Sequence, residues 1–135
     1  WGANHVYGTG AAVPALVAAG AGSGDPSVTR AVTWLERHQN DDGGWGEDLR
    51  SYDDPQEAGR GTSTASQTAW TLLALLAAGR GDSDPVRRGI AFLVGSQTPD
   101  GTWNEELFTG TGFPGDFYIN YHLYREVWPV LARAV

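Results

Sequence analysis

The sequence predicts an all-α fold of helix hairpins stacked side by side. Residues 30–45 recur as residues 88–103, with an aromatic residue, a Gln and a Trp each repeated after 58 positions. The segments before these stretches also match, at an offset of 59 residues. A repeat of this length is typical of a supersecondary unit that buries its apolar face against the next copy. Two copies of one helix hairpin are therefore expected.

The first helix of each copy is short and rich in Ala and Leu. It covers residues 11–19 in the first copy and residues 66–78 in the second. Gly20 and Gly79 follow these segments, and glycine is the residue best suited to the left-handed conformation that ends many helices. Both helices are predicted to stop there.

The second helix of each copy begins at an Asp-Pro pair, at positions 25–26 and 84–85. An Asp side chain can cap the free N–H groups of a first turn, and Pro is well tolerated as the first helical residue. Apolar residues then recur at steps of three and four, which places them on one helix face. Asp25 and Asp84 are thus the expected caps of two amphipathic helices.

Each second helix is followed by Gln, a polar turn with Gly, and Trp. We expect Gln39 and Gln97 to bond the last helix carbonyls, which lack partners within the helix, while Trp45 and Trp103 cover the amides and pack on the neighbouring hairpin. The alternative is that both Gln side chains are solvated and both Trp rings are ordinary core.

Composition excludes several classes of function. With 135 residues, 41% of them hydrophobic, the chain is long enough for one globular unit. The net charge of −7 and the lack of a basic cluster argue against a nucleic-acid partner. There is no Cys for a disulfide or a thiol nucleophile, and His5, His38 and His122 lack the spacing of a metal site. No metal is predicted.

Two features concern the extent of the chain and its long connection. The sequence begins at Trp1 without Met and ends at Val135 after an aromatic-rich segment, so we expect a segment of a longer protein.

Residues 46–64 show no helical periodicity, as expected of a functional or disordered loop. Within it, Asp53 and Asp54 form either an acid pair or, as Pro55 favours, a turn.

Aromatic residues cluster near the end of the chain. Phe117, Tyr121, Tyr124 and Trp128 fall at positions i, i+4, i+7 and i+11, which predicts one stripe of a helix. Such a stripe either belongs to the core or lines a cavity, and spacing alone favours the core.

The repeated pattern Arg-(Gly/Ala)-x-x-aromatic-Leu-x-x-x-Gln-x-x-x-Gly-x-Trp resembles the QW motif of squalene-hopene and oxidosqualene cyclases. We call residues 39–45 and 97–103 the QW turns. Further similarity lies in residues 1–10, 42–48, 63–70 and 110–125, and the last of these is typical of the bacterial squalene-hopene branch. Together the motifs cover nearly the whole chain.

The resemblance implies a protein of two α/α barrels (toroids), with residues 1–135 as the C-terminal part of the catalytic barrel. It also implies the cyclisation of squalene to hopene or hopanol, begun by an acid in an Asp-x-Asp-Asp motif and needing no cofactor. That motif does not occur in this sequence. The segment is therefore expected to form a cavity wall and to be inactive alone.

The same resemblance implies roles for single residues. Phe117 and Phe113 would stabilise late-ring cations, while Tyr121 and Tyr124 would shape the cavity and stabilise charge. Trp1 would stabilise a cation in the first rings. The remaining positions are Tyr7, expected to orient the catalytic acid, although a helix-entry packing residue would look the same, and Gly112, expected to let the backbone approach the substrate.

The expected partners are squalene or a similar linear polyprene and the remaining part of the same cyclase chain. The resemblance implies a peripheral protein at the cytoplasmic face of the bacterial membrane and leaves a homodimer open. Two other functions stay open: a stand-alone α/α-repeat module that binds an apolar ligand or partner, and a sibling cyclase acting on another polyprene.

Overall fold

The computed structural model describes residues 1–134, which are mostly helical. The helices are α1 (His5–Ala18), α2 (Pro26–Arg37), α3 (Ala65–Ala77), α4 (Asp84–Ser96) and α5 (Tyr124–Ala134). A two-stranded antiparallel sheet joins β1 (Gly110–Phe113) to β2 (Phe117–Ile119). The prediction of an all-α chain is therefore right for the hairpins and wrong for this sheet. Within residues 1–134, no helix has the length and apolar character needed to cross a bilayer.

Helix α3 is the centre of the structure. It lies between α1 and α5 and also packs against α4, while α2 packs mainly on α1. Residues 65–72 of α3 are buried without a break, as are Ala74 and Leu75. A helix that is buried on nearly all sides carries no clear amphipathic pattern, so it is recognised from the repeat rather than from its periodicity.

The first helix of each copy ends as predicted. Gly20 has a φ of 97° and Gly79 a φ of 74°, both in the left-handed region. In each case the N–H of the residue after the Gly bonds a carbonyl five residues back, and the Gly N–H bonds a carbonyl three residues back. This Schellman arrangement satisfies carbonyls that would otherwise lack partners.

The second helices begin differently from each other. In the first copy, the Asp25 carboxylate accepts a hydrogen bond of 2.7 Å from Ser27 N, as expected of a cap. In the second copy Asp84 is already the first helical residue, and Ser83 precedes the helix without a side-chain cap. The predicted cap at Asp84 is wrong, since the helix starts one residue earlier than the Asp-Pro pair suggests.

The long connection between α2 and α3 is ordered by short local bonds. It contains two 3₁₀ turns, Leu49–Tyr52 and Pro55–Glu57. Asp54 accepts a hydrogen bond from Gln56 N at 2.9 Å, and so acts as the cap of the second turn. The interpretation of Asp53 and Asp54 as a turn before Pro55 agrees with this geometry.

The two QW turns share one set of contacts, in which the Trp bonds the helix carbonyl. Trp45 Nε1 donates to Leu35 O at 2.8 Å, and Trp103 Nε1 donates to Leu93 O at 2.9 Å. Both acceptors belong to the last turn of the preceding helix. The prediction gave this role to Gln, because a buried indole that needs an acceptor was treated only as an apolar ring.

The Gln side chains instead close their own turns. Gln39 Nε2 donates to Gly43 O at 2.8 Å, and Gln97 Nε2 donates to Gly101 O at 2.7 Å. Gly43 and Gly101 have φ angles of 90° and 86°, which only glycine adopts without strain. The alternative, in which both Gln side chains are simply solvated, is wrong, because each bonds a backbone carbonyl of its own turn.

A second repeated contact was not predicted. Glu47 and Glu105 each lie two residues after a QW Trp, 58 positions apart, and both are buried. The Glu47 carboxylate accepts hydrogen bonds from Asn4 N at 3.3 Å and Val6 N at 2.6 Å, at the start of α1. It therefore supplies the cap that the Asn4 side chain does not, and α1 starts at His5 instead of the predicted residue 11.

Glu105 acts at the start of α3, where the Thr64 hydroxyl also accepts a hydrogen bond from Gln67 N at 3.2 Å. Its carboxylate accepts hydrogen bonds from Ser66 N at 2.9 Å, Ser66 Oγ at 2.8 Å and Thr109 Oγ1 at 3.1 Å. A carboxylate at a helix N-terminus also interacts favourably with the helix dipole. Each QW turn is thus followed by a buried acid that fixes the start of the first helix of its own copy.

Replacing Glu105 with Ala should lower the free energy of unfolding by about 3 kcal/mol, because it leaves buried donors without an acceptor. Glu105→Gln should recover part of this loss, since the amide oxygen still accepts from Ser66 N. Urea unfolding measures both variants. The matched control is Glu106→Ala, whose side chain is exposed. An Ala variant at position 105 as stable as the control would contradict the assignment.

Replacing Trp103 with Ala should cost about 3–5 kcal/mol, as for other buried Trp residues. Trp103→Phe keeps most of the ring and loses the bond to Leu93 O, so a smaller cost of about 1–3 kcal/mol is expected. Gln97→Ala, which opens a half-exposed turn, should cost about 1 kcal/mol. Thermal unfolding ranks the three variants, with Trp1→Ala as the exposed control. Equal stability of Trp103→Ala and Trp1→Ala would overturn the ranking.

Candidate functional site

The helical stripe predicted from residue spacing does not form. Phe117 lies on β2, Tyr121 lies in the turn before α5, and only Tyr124 and Trp128 share a helix. The hairpin interrupts the stripe because Pro114 and Gly115 form a β-turn, closed by a 3.0 Å bond from Asp116 N to Phe113 O, with Gly115 at a φ of 82°. The Pro-Gly pair was a turn signal that outweighs the helical spacing.

The start of the chain is joined to this hairpin. Gly2 forms a β-bridge with Gly110. Ala3 N donates to Thr109 O and Thr111 N donates to Trp1 O, both at 2.9 Å. Residues 1–3 therefore add a third extended segment beside β1. The backbone of Trp1 is held in place, while its side chain is 74% exposed.

Three of the predicted site residues pack their rings against glycines. A Cβ atom added at any of these glycines would lie 2.3–2.7 Å from a carbon of the neighbouring ring and would overlap it. The pairs are Tyr7 on Gly2, Tyr121 on Gly110, and Phe117 on Gly112. The extended segments thus carry glycine where an aromatic ring approaches the backbone closely. Gly112, which was predicted to let the backbone approach a substrate, has Phe117 as its neighbour.

The tyrosines belong to one group of touching rings around Trp70. The Trp70 ring meets Tyr7 at a centroid distance of 5.0 Å and Tyr124 at 5.5 Å, both edge to face. Tyr124 in turn lies 4.6 Å from Tyr121. Trp128 completes the group, 6.5 Å from both Trp70 and Tyr124. We call these five residues the Trp70 cluster.

The two phenylalanines form a separate pair. The rings of Phe113 and Phe117 lie 5.9 Å apart at 66°, across the hairpin turn. Phe113 is 65% exposed and Phe117 is 47% exposed. Adjacent exposed aromatic rings of this kind commonly mark a surface that contacts a ligand or another part of a protein. The structure brings together Tyr7, Tyr121 and Tyr124, and it places Phe113 and Phe117 beside each other.

An apolar cavity of about 460 Å³ opens between α1, α3 and α5. Tyr7 is the predicted site residue that lines it, together with Trp70 and Trp128 of the Trp70 cluster. Gly10 of α1 faces Trp70, where an added Cβ would come within 3.1 Å of the Trp70 carbonyl oxygen. This close approach of α1 and α3 fixes one side of the cavity.

The aromatic surface carries electron-rich ring faces and, at Tyr124, a neutral phenol. Burial raises the pKa of Tyr124 above its usual value of 10.0, and the nearby Tyr7 and Tyr121 raise it further. Its hydroxyl therefore stays protonated at neutral pH. A neutral phenol or an indole stabilises a nearby cation through its ring face, and it is a poor nucleophile compared with a phenolate.

Trp70 was missed as a site residue. It is the hub of the aromatic contacts and is only 4% exposed. Its counterpart in the first copy falls among the alanines of α1, so the repeat gave no signal there. A single aromatic residue in a helix made mostly of Ala, Leu and Thr was the available signal.

Glu105 also reaches the site through its backbone. Its carbonyl accepts hydrogen bonds from Asn120 Nδ2 at 2.8 Å and from Arg125 Nη1 at 3.2 Å. Asn120 and Arg125 stand next to Tyr121 and Tyr124 in the sequence. The residue that bonds the start of α3 therefore also positions Tyr121 and the first turn of α5, which carries Tyr124.

Comparison with known proteins agrees with the motifs. The profile of the squalene-hopene cyclase C-terminal domain matches residues 1–135. The squalene–hopene cyclase of Alicyclobacillus acidocaldarius is 58% identical over 132 residues, which cover 98% of this chain and 21% of that protein. The enzyme of the same name from Bradyrhizobium diazoefficiens is 47% identical, over 99% of this chain and 20% of that protein.

A relative with another product name also matches. Dammaradiene synthase of Dryopteris crassirhizoma is 41% identical over 93% of this chain and 20% of its own length. The chain spans about a fifth of the length of these curated relatives. With a family match over its whole length, the chain belongs to the squalene-hopene cyclase C-terminal domain family.

Proposed function

We propose that this chain is the C-terminal part of the catalytic α/α barrel of a bacterial squalene-hopene cyclase. The full protein would cyclise squalene to hopene or hopanol by an acid-initiated cationic cascade. The observation that carries the proposal is the aromatic surface formed by the exposed Phe113–Phe117 pair and the Trp70 cluster, in a chain that matches this family from end to end.

The chemistry requires one strong acid and a dry cavity whose walls stabilise positive charge without reacting with it. A cation over an aromatic face gains about 0.5–1 kcal/mol at an exposed site and about 2 kcal/mol or more when water is excluded. Several rings would therefore lower a cyclisation barrier by enough to change the rate by powers of ten. The acid comes from another part of the protein, because the sequence contains no Asp-x-Asp-Asp motif.

The proposed roles follow the family resemblance. Phe117 and Phe113 stabilise the late-ring cations, and Tyr121 and Tyr124 form the adjoining wall. Trp1 stabilises a cation of the first rings. Tyr7 orients the catalytic acid, and its place in the first turn of α1, over Gly2, supports a fixed ring position. Gly112 brings the hairpin backbone close to both Phe117 and the substrate.

The remaining part of the cyclase is proposed to cover the apolar surface of this segment. Leu123, Val130 and Leu131 at α5 are 68%, 57% and 45% exposed, which is a large apolar area for a face in water. We place the full protein at the cytoplasmic face of the membrane as a peripheral protein. A sibling cyclase is the second candidate, supported by the 41% identity to a dammaradiene synthase.

A chimera tests the proposal. This chain replaces the matching C-terminal segment of the Alicyclobacillus squalene–hopene cyclase, to which it is 58% identical. The chimera and the chain alone are each supplied with squalene, and their products are analysed. We expect pentacyclic product from the chimera and none from the chain alone. Cyclisation by the chain alone, or a folded chimera without any cyclised product, would refute the proposed division of roles.

In the chimera, Phe117→Ala should divert the cascade toward incompletely cyclised products, because a late cation loses the ring that stabilises it. The matched control is Phe108→Ala, which removes a ring of similar exposure, 51% against 47%. Gas chromatography of the products distinguishes the variants. An unchanged product spectrum with a lower melting temperature would assign Phe117 to a purely structural role.

Gly112→Ala offers a subtler change at the same place. The added methyl group would meet the Phe117 ring and force it to shift while leaving its chemistry intact. We expect the chimera to keep its turnover of squalene but to release a larger share of incompletely cyclised product. Gly95→Ala is the control, since an added Cβ there meets nothing within 4 Å. Identical product ratios in both variants would show that the ring position does not matter.

A further inference from the structure

The first QW turn is held by the helix of the next copy. Gln39 Nε2 donates to Pro85 O at 2.8 Å, while Arg88 Nη1 donates to Gln39 Oε1 at 3.3 Å. Arg88 Nη2 also donates to Asn40 O at 3.0 Å and to Asp41 O at 2.9 Å. The start of α4 is thus a receiving surface for a turn that presents carbonyl groups.

The closeness of this contact is set by Gly43. A Cβ atom added there would lie 2.7 Å from Arg88 O, so only glycine lets the turn approach the helix backbone. The second QW turn also meets an arginine, through a single bond at the other end of a helix: Arg133 Nη1, in the last turn of α5, donates to Gln97 Oε1 at 2.9 Å. Both QW turns of this chain therefore already have an arginine partner.

The repeat places Arg30 at the position of Arg88. The two residues are 58 positions apart, the offset that relates the QW turns themselves. Arg30 lies on α2 and is exposed. Within the described residues 1–134, its hydrogen bond is a long one of 3.4 Å from Nη2 to Ser27 Oγ on the same helix. Arg30 thus occupies the position from which Arg88 bonds a QW turn, while residues 1–134 contain no turn that bonds Arg30 in this way.

From this geometry we infer that Arg30 and the start of α2 receive a third QW turn, contributed by the repeat that precedes this segment in a longer polypeptide. The inference rests on the proposed function in one respect, namely that the chain is part of a cyclase about five times its length, as its relatives are. It adds the contact residue and the chemistry of the partner.

The expected partner is a carbonyl-rich turn of the form Gln-x-x-x-Gly-x-Trp. Arg88 contacts a Gln side-chain oxygen and two backbone carbonyls, all uncharged acceptors that match the fork of a guanidinium group. A second copy of this chain is a poorer partner, because its two QW turns are already occupied by Arg88 and Arg133.

The test compares Arg30→Ala and Arg88→Ala in two contexts, the chain alone and the chimera with the upstream part of the Alicyclobacillus enzyme. Hydrogen exchange of the α2 and α4 amides is the measurement. We expect Arg88→Ala to speed exchange in α4 in both contexts. Arg30→Ala should speed exchange in α2 about tenfold in the chimera and leave the chain alone unchanged.

Arg37→Ala is the matched control, since Arg37 is exposed at the other end of α2 and should behave alike in both contexts. An Arg30→Ala chimera with unchanged α2 exchange, or an equal effect in the chain alone, would overturn the inference and identify Arg30 as a solvated surface residue. If the chimera does not fold, the chain extended upstream by one repeat of that relative is compared in the same way. Product analysis is a separate readout, so failure of the proposed function would be seen independently.

Discussion

The structure depends on how its repeated hairpins satisfy the polar groups at their helix ends. The indoles of Trp45 and Trp103 bond carbonyls in the last turns of α2 and α4. Two residues further on, Glu47 and Glu105 bond amide groups at the starts of α1 and α3. A buried N–H or C=O without a partner costs about 1–3 kcal/mol. One short stretch of each repeat thus ends one helix and begins another.

This constraint also positions the aromatic surface. With the start of α1 held by Glu47, Tyr7 is fixed over Gly2 and against Trp70. With the start of α3 held by Glu105, Trp70 is fixed one turn further along that helix. The residues that hold the fold together are therefore partly the same as those proposed to act on the substrate. For this reason, the stability of each variant has to be measured separately from its products.

The repeat made the hairpins predictable, because Gln, Gly and Trp at a fixed offset describe local turns and helix ends. The β-hairpin of residues 110–119 was not predicted, because four aromatic residues near it happen to fit a helical spacing. The Pro114–Gly115 turn instead reverses the chain and pairs two strands. The caps at Glu47 and Glu105 join residues 39 to 43 positions apart in sequence, which no local pattern reveals. Trp70 owes its role to packing between α1 and α5, and the resemblance supplied the site residues that spacing alone assigned to the core.

The proposed function requires that the ring faces of this segment stabilise carbocations during cyclisation. The most direct measurement is a crystal structure of the chimera with a polyprene analogue in which a protonated tertiary amine replaces a late cationic carbon. We expect the ammonium nitrogen to lie within about 6 Å of the Phe117 ring centroid, over its face. An analogue bound with its nitrogen away from Phe113, Phe117 and the Trp70 cluster would contradict it.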